Sequence, residues 1–313
     1  MSLRAEILRL GTRCLLKGKP GADASLEERR HRATVAERWV PNPPPGIKRI
    51  AVDAGGVEAE WVVAPASQPH CYVLYLHGGG YVVGSPSLYR HLTWRLARAG
   101  RARLLAADYR LAPEHPFPAA LDDAMAAYKW LLANGADPRQ ISVIGDSAGG
   151  GLAFALLLRC RDEGRLPLPA AIVALSPWTD LALTGASLSH NAVADPFLDA
   201  NGIAPIAKCY LAGVDPRHPY ASPLYGDPSG LPPALIQVGS DEVLRDDATR
   251  MADRMRAAGC DVVLEVWPRM PHVWHLFASV MPEARRAITR IGSFVAEQTM
   301  VTTASRRSNG LHR

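Results

Sequence analysis

The sequence predicts an α/β protein with a mostly parallel sheet that is flanked by helices. Short segments rich in aliphatic and β-branched residues alternate along the chain with longer helical patterns. The short segments are almost wholly apolar, which is typical of strands buried on both faces. We count about eight strands and expect the first two to pair in antiparallel fashion.

The predicted elements follow one another in a regular order. Strands are predicted at residues 48–52, 57–63, 71–76, 103–107, 141–144, 170–175, 234–238 and 262–266. Helices are predicted at residues 88–99, 119–133, 149–162, 199–212, 243–258 and 283–295. We therefore expect a single catalytic domain over residues 46–298, followed by a polar, flexible tail at residues 299–313.

Two regions do not fit the alternation of strands and helices. Residues 1–45 are basic with a helical pattern and end in a proline run, which stops a helix. An insertion at about residues 180–215 contains no convincing strand. Because a long insertion after a sheet strand often covers an active site, we predict that the two regions form a helical cap.

Composition excludes several classes of protein. The 313 residues are 48% hydrophobic and 21% charged, and no run of about eighteen apolar residues predicts a membrane span. The net charge of +5 is scattered, without a basic stripe interleaved with aromatic residues, so we expect no nucleic-acid partner. Five scattered cysteines without a C-x-x-C pair indicate a reducing, cytoplasmic location with no disulfide framework and no metal site.

The segment Gly145-Asp146-Ser147-Ala148-Gly149 lies between an apolar strand and an apolar helix. A G-x-S-x-G segment in this position is typical of a nucleophile elbow, a sharp turn that exposes the serine hydroxyl. A side chain at position 145 or 149 would collide with the neighbouring strand or helix, so glycine is required at both. We therefore predict that Ser147 is the nucleophile of a serine hydrolase.

A second glycine-rich segment, His77-Gly78-Gly79-Gly80, ends another predicted strand. Attack on an ester carbonyl places negative charge on the carbonyl oxygen, which backbone N–H groups can bind. We predict that this oxyanion hole consists of the N–H groups of Gly78, Gly79 and Ala148. His77 is expected to anchor the loop by hydrogen bonding and not to act as a base.

The order serine, acid, histidine places the other two partners downstream of the elbow. Among the downstream histidines, only His272 and His275 lie in a loop just after a late strand. We predict that His272, which directly follows the turn, is the base and that His275 packs nearby. The acid should follow the strand at 234–238, where Asp241 and Glu242 are adjacent; local reasoning does not choose between them.

Together these motifs resemble the hormone-sensitive-lipase-like group of α/β hydrolases, bacterial esterases with an HGGG loop and a GDSAGG elbow. The resemblance covers most of residues 46–298 and includes a specific DYRLAPEHPFPAA segment at residues 108–120. It implies an α/β-hydrolase fold with an eight-stranded sheet and a helical cap. It also implies a homodimer that forms through the edge strand at 262–266.

The resemblance also bears on the choice of the acid. When the family's acid motif is placed without gaps back from His272, its acid falls on Glu242. The family usually has aspartate at this position, followed by proline where this chain has Val243. The resemblance therefore favours Glu242 over Asp241, because the triad accepts either type of acid.

The predicted function is that of a serine carboxylesterase that hydrolyses small, short-acyl esters through an acyl-enzyme, without a cofactor. An amidase or carbamate hydrolase would use the same residues. A ligand-binding protein on this scaffold is a weaker alternative, because the receptors that resemble the family lack the histidine present here as His272. Six aromatic residues could line the pocket or simply pack in the cap or core: Trp39, Tyr81, Trp178, Phe197, Tyr210 and Trp274.

Overall fold

The computed structural model describes residues 25–309 together with residues 2 and 6, with side chains up to residue 299. Eight strands form one sheet: β1 (Lys48–Asp53), β2 (Glu58–Val63), β3 (Tyr72–Leu76), β4 (Arg103–Ala107), β5 (Ile141–Asp146), β6 (Ala171–Leu175), β7 (Ala234–Gly239) and β8 (Val262–Trp267). Their order is β1-β2-β4-β3-β5-β6-β7-β8. β2 runs antiparallel to both of its neighbours and the remaining pairs are parallel. The predicted fold class and the antiparallel first pair are confirmed.

The helices of the described residues are α1 (Leu26–Trp39), α2 (Pro86–Ala99), α3 (Ala119–Ala133), α4 (Ala148–Glu163), α5 (Ser187–His190), α6 (Ala200–Leu211), α7 (Arg245–Ala257) and α8 (Pro282–Asn309). None of them is both long and apolar enough to cross a membrane. In the N-terminal part of the predicted cap, residues 1, 3–5 and 7–24 lie outside the described residues, and so does the end of the chain after residue 309.

The last helix corrects a predicted boundary. The sequence predicts that this helix ends at residue 295, but the backbone of α8 stays helical to Asn309. The physical reason is that neither glycine nor proline occurs between Gly292 and Gly310, so nothing stops the helix earlier. The flexibility predicted for residues 299–313 stays a prediction.

The core consists of two layers, one on each face of the sheet. Along β3, Leu74 and Leu76 face the layer that contains α3 and α4, whereas Val73 and Tyr75 face the layer that contains α2 and α8. All four side chains are fully buried. This alternation explains why the parallel strands read as continuous apolar segments in the sequence.

The sheet also decides where the functional loops meet. Because β3, β5, β6, β7 and β8 are parallel, the loops that follow them leave the same edge of the sheet. Those loops carry the HGGG segment, the elbow serine, both candidate acids and the candidate histidine. In parallel α/β sheets this carboxyl-end edge is where ligands bind.

Candidate active site

Ser147 occupies the sharp turn between β5 and α4, with φ of 53° and ψ of −122°. L-residues rarely adopt this conformation, which the packing around the turn maintains. A Cβ atom on Gly145 would lie 2.1 Å from the carbonyl oxygen of Gly149, and one on Gly149 would lie 2.1 Å from that of Leu76. The predicted need for glycine at both positions is confirmed.

Three side chains from three separate loops form a hydrogen-bonded chain. Nε2 of His272 lies 2.9 Å from Oγ of Ser147, and Nδ1 of His272 lies 2.8 Å from Oε2 of Glu242. A carboxylate only accepts hydrogen bonds, so Nδ1 carries the proton and Nε2 is free to accept one from the serine hydroxyl. The structure thus brings together the three side chains that the sequence singles out for a triad.

The two adjacent acids have different surroundings. Glu242 is fully buried, and its Oε1 accepts hydrogen bonds from the Ser176 hydroxyl at 2.7 Å and the Gly239 N–H at 2.5 Å. Asp241 is half-buried and accepts a hydrogen bond from the Ser240 hydroxyl at 2.8 Å. Of the two candidates, Glu242 is the one in contact with the imidazole.

Ser176 is a site residue that the sequence reasoning missed. It directly follows β6, has a φ of 47°, and its hydroxyl donates to Glu242 while accepting from the Val273 N–H at 3.1 Å. One hydroxyl therefore joins the acid loop to the histidine loop. The signal was present in the sequence: Ser176-Pro177 is a turn directly after a buried parallel strand, at the same edge as the elbow.

Burial and charge shift the pKa values of the acid and the imidazole. Burial raises the pKa of Glu242 above its ordinary value. Burial by itself would lower the pKa of His272, but the hydrogen bond and negative charge of Glu242 outweigh it, so the net pKa of His272 is raised. An imidazole with a raised pKa is a stronger base toward the serine hydroxyl.

The predicted oxyanion donors need one correction. The Gly78 N–H already has an acceptor, because it donates to Oδ1 of Asp146 at 3.0 Å. Gly79 and Gly80 instead line the cavity beside Ser147, and within residues 25–309 their N–H groups have no acceptor. The backbone turns at Gly79, where φ is 115°, so the second and third glycines face the serine. Together with Ala148 at the start of α4, Gly80 thus takes the place of Gly78 in the candidate donor set.

Two further histidines near the site are held in other contacts. Nδ1 of His77 donates to the Gly78 carbonyl oxygen at 2.7 Å, which anchors the loop, and burial lowers the pKa of His77 to about 4. Nε2 of His275 lies 2.8 Å from Oε1 of Gln237, and burial lowers the pKa of His275 to about 3. Both rings are therefore neutral near pH 7 and have other partners than the serine.

A cavity of about 270 Å³ opens beside the serine hydroxyl. Its wall is mainly apolar and includes Val82, Trp178, Leu198, Leu244 and Leu276. Both segments predicted as cap contribute to it, α1 through Arg29 and α6 through Ile203 and Ile206. Among the described residues, no group of three or more His, Cys, Asp or Glu side chains is arranged to hold a metal ion.

The six candidate aromatic residues divide into two groups. Trp178 and Phe197 line the cavity. The others are elsewhere: Tyr81 and Tyr210 stack on each other with ring centroids 3.8 Å apart, Trp274 is buried in the core, and Trp39 is 82% exposed. Of the six, Trp178 and Phe197 are thus the ones placed to touch a substrate.

Comparison with known proteins gives consistent results. Residues 73–276 match the family of proteins with the α/β-hydrolase fold. An acetyl-hydrolase of Streptomyces hygroscopicus is 51% identical over 256 residues, 82% of this chain and 84% of that protein. The carboxylesterase/phospholipase LipF of Mycobacterium tuberculosis is 38% identical over 276 residues, 84% of this chain and 73% of that protein.

Solved structures give the same picture. The crystal structure of an esterase/lipase from an uncultured bacterium superposes with a TM-score of 0.91 at 43% identity, covering 96% of this chain and 100% of the other. An esterase from the bacterial hormone-sensitive lipase family has a TM-score of 0.90 at 45% identity, covering 96% of this chain and 99% of the other.

Proposed function

This chain belongs to the hormone-sensitive-lipase-like esterases of the α/β-hydrolase fold, and we propose that it hydrolyses small, short-acyl esters through an acyl-enzyme on Ser147. Several of its relatives are named as esterases or carboxylesterases, which supports ester hydrolysis. One observation carries the serine mechanism: the continuous chain of hydrogen bonds from the Ser147 hydroxyl through His272 to Glu242.

In the first half of the proposed reaction, Oγ of Ser147 attacks the ester carbonyl carbon while Nε2 of His272 takes the hydroxyl proton. The carbonyl oxygen becomes an oxyanion, which accepts hydrogen bonds from the N–H groups of Gly79, Gly80 and Ala148. Losing one such donor typically costs about 3 kcal/mol of transition-state stabilisation.

In the second half, the imidazolium of His272 donates its proton to the leaving alkoxide, and the alcohol departs from the acyl-enzyme. A water molecule then attacks the acyl carbon while His272 takes a proton from it. The bond between the acyl carbon and Oγ of Ser147 breaks, His272 returns the proton to Oγ, and the carboxylic acid is released. Glu242 stays ionised throughout and holds the ring with Nε2 facing the serine.

The proposed preference for short acyl chains follows from the size of the cavity. Its volume of about 270 Å³ is just below the range of about 300–1,000 Å³ that ligand pockets usually have. Apolar side chains such as Val82 and Leu244 suit a short alkyl group. We expect activity on p-nitrophenyl esters to be highest for acetate or butyrate and to fall at octanoate.

Replacing Ser147 with alanine tests the mechanism. Hydrolysis of p-nitrophenyl butyrate should fall by at least about 10⁴-fold, since the nucleophile is lost. Ser142→Ala is a matched control, because Ser142 lies on the same strand and its buried hydroxyl has no hydrogen-bond partner among the described residues. A fluorophosphonate should label the control but not the Ser147 variant. Substantial activity in the Ser147 variant would refute the proposal.

A further inference from the structure

A buried carboxylate that the proposed reaction does not use lies between the cavity wall and the acid loop. Asp195 follows α5 and is fully buried. Its Oδ1 accepts from the N–H groups of Phe197 at 2.8 Å and Leu198 at 3.0 Å. Its Oδ2 accepts from the N–H of Val243 at 2.9 Å. A single side chain therefore joins two chain segments that are almost fifty residues apart in the sequence.

Both of these segments belong to the site. Phe197 and Leu198 line the cavity, and the Phe197 ring centroid lies 6.0 Å from that of His272. Val243 directly follows Glu242 and is fully buried. A shift of Asp195 would therefore move the substrate wall and the acid together.

Two neutral side chains also form hydrogen bonds to the loop that carries Glu242. The Asn191 side-chain amide donates to the carbonyl oxygens of Ser240 at 3.0 Å and Glu242 at 2.8 Å. The Ser187 hydroxyl donates to the carbonyl oxygen of Val243 at 2.7 Å. Asp195 differs from these two residues in its charge, and its three backbone donors suit a carboxylate.

The charge of Asp195 acts on the acid–imidazole pair. After the larger effects of burial and of their mutual contact, Asp195 is the next charged group to raise the pKa of both Glu242 and His272. Asp146, at the end of β5, also raises the pKa of His272. His275, on the same loop as His272, is neutral near pH 7 because burial lowers its pKa to about 3. Removing Asp195 should therefore shift the titration of the pair without abolishing it.

We propose that Asp195 is a positioning residue for ester hydrolysis: it locks the Glu242 loop to the cavity wall and stabilises the imidazolium of His272 through its negative charge. This inference rests on the proposed serine mechanism. It assigns a role in the reaction to the first part of the insertion, which the sequence marks only as cap. A side chain that only held the fold together would lower activity equally at every pH.

The Asp195→Asn variant tests this inference through the pH profile of kcat/KM on p-nitrophenyl butyrate. The acid limb reports protonation of the Glu242–His272 pair. Removing a nearby negative charge disfavours the imidazolium, so the limb should move to lower pH by about half a pH unit. The plateau of kcat/KM should fall by about tenfold. Fluorophosphonate labelling counts the active sites, so that kcat/KM is calculated per active enzyme molecule.

Asp246→Asn is the matched control. Oδ2 of Asp246 accepts from the Ser187 N–H at 2.8 Å, so it ties the insertion to the same loop, but its charge is paired with Arg245. The acid limb of the kcat/KM profile of Asp246→Asn should therefore stay at the wild-type pH. An unmoved limb in Asp195→Asn would overturn the inference while leaving the serine mechanism intact, whereas an active Ser147→Ala variant would remove the basis of both.

A second variant covers the case in which Asp195→Asn does not fold. Asp195→Ser keeps an acceptor oxygen in a smaller side chain and should show the same downward shift of the acid limb. If neither variant yields folded protein, the carboxylate is needed for folding and the inference is wrong.

Discussion

Two fully buried carboxylates, Asp146 and Glu242, belong to the site around Ser147 and His272, and their surroundings differ. Asp146 ends β5, and its Oδ1 accepts from the Tyr75 hydroxyl at 2.5 Å and the Gly78 N–H at 3.0 Å. Its Oδ2 has no hydrogen-bond partner of acceptable geometry within the described residues. Glu242, after β7, has partners on both oxygens, and one of them is the imidazole of His272.

Burial raises the pKa of both groups, that of Asp146 to about 6. Asp146 and Glu242 differ in the groups that hydrogen-bond to them. Glu242 faces a ring that can become a cation, so its negative charge can stabilise a developing positive charge. Asp146 accepts its hydrogen bonds from a phenol and a backbone N–H, which remain neutral, so it braces the oxyanion loop. It acts on His272 through its charge alone, without a hydrogen bond to the ring. Desolvation of a carboxylate is therefore insufficient to identify the acid of a triad, and the group opposite it is decisive.

Among variants of the residues in this comparison, Glu242→Gln should have the largest effect on activity. The amide cannot stabilise the imidazolium and no longer enforces the tautomer with the proton on Nδ1, so kcat should fall by about 10³–10⁴-fold. Steady-state kinetics on p-nitrophenyl butyrate measures this loss. Asp241→Asn, one residue earlier, is the control and should stay within about twofold of wild type. The reverse ranking would make Asp241 the acid.

A smaller effect is expected for Ser176→Ala. It removes one donor to Glu242 and leaves the Val273 N–H without its acceptor, so kcat should fall about tenfold, in line with a hydrogen bond to a charged group. Ser176→Gly should lose the same activity. Because glycine suits the φ of 47°, the free energy of unfolding of Ser176→Gly should be about 1 kcal/mol higher than that of Ser176→Ala. Unchanged kcat in both variants would rule out this positioning role.

The smallest effect on activity, a few-fold loss, is expected for Asp146→Asn, because the amide oxygen can still accept from Tyr75 and Gly78. Its clearest effect is on stability. Between the ordinary carboxyl pKa of 3.8 and the folded value of about 6, the folded protein binds a proton that the unfolded chain has lost. Wild type therefore loses up to about 3 kcal/mol of unfolding free energy as pH rises through this range.

Asparagine has no such titration, so the stability of Asp146→Asn relative to wild type should improve from pH 4 to pH 7. Denaturant unfolding at several pH values measures the difference. A difference that stays constant with pH would mean that Asp146 is not responsible for a stability loss over this range.

Most of the framework could be predicted because its signals are local. Apolar alternation marks the eight strands, and the glycines at 145 and 149 mark the turn that exposes Ser147. His272 follows from its place in a loop after a late strand. Helix ends were less predictable: α8 continues past residue 295 because no glycine or proline stops it before residue 310.

The sequence by itself determined the fold class, the elbow and the candidate histidine, since each depends on residues that are close together in the chain. The family resemblance already favoured Glu242 over Asp241, and the tertiary structure places Glu242 against the imidazole. Only the tertiary structure decided which glycine N–H groups face the serine and that Ser176 and Asp195 hold the acid loop. These depend on the directions of side chains and N–H groups, and on contacts such as that between Ser176 and Glu242, which are 66 residues apart. No periodicity or spacing encodes such contacts, because packing of the sheet and its loops creates them.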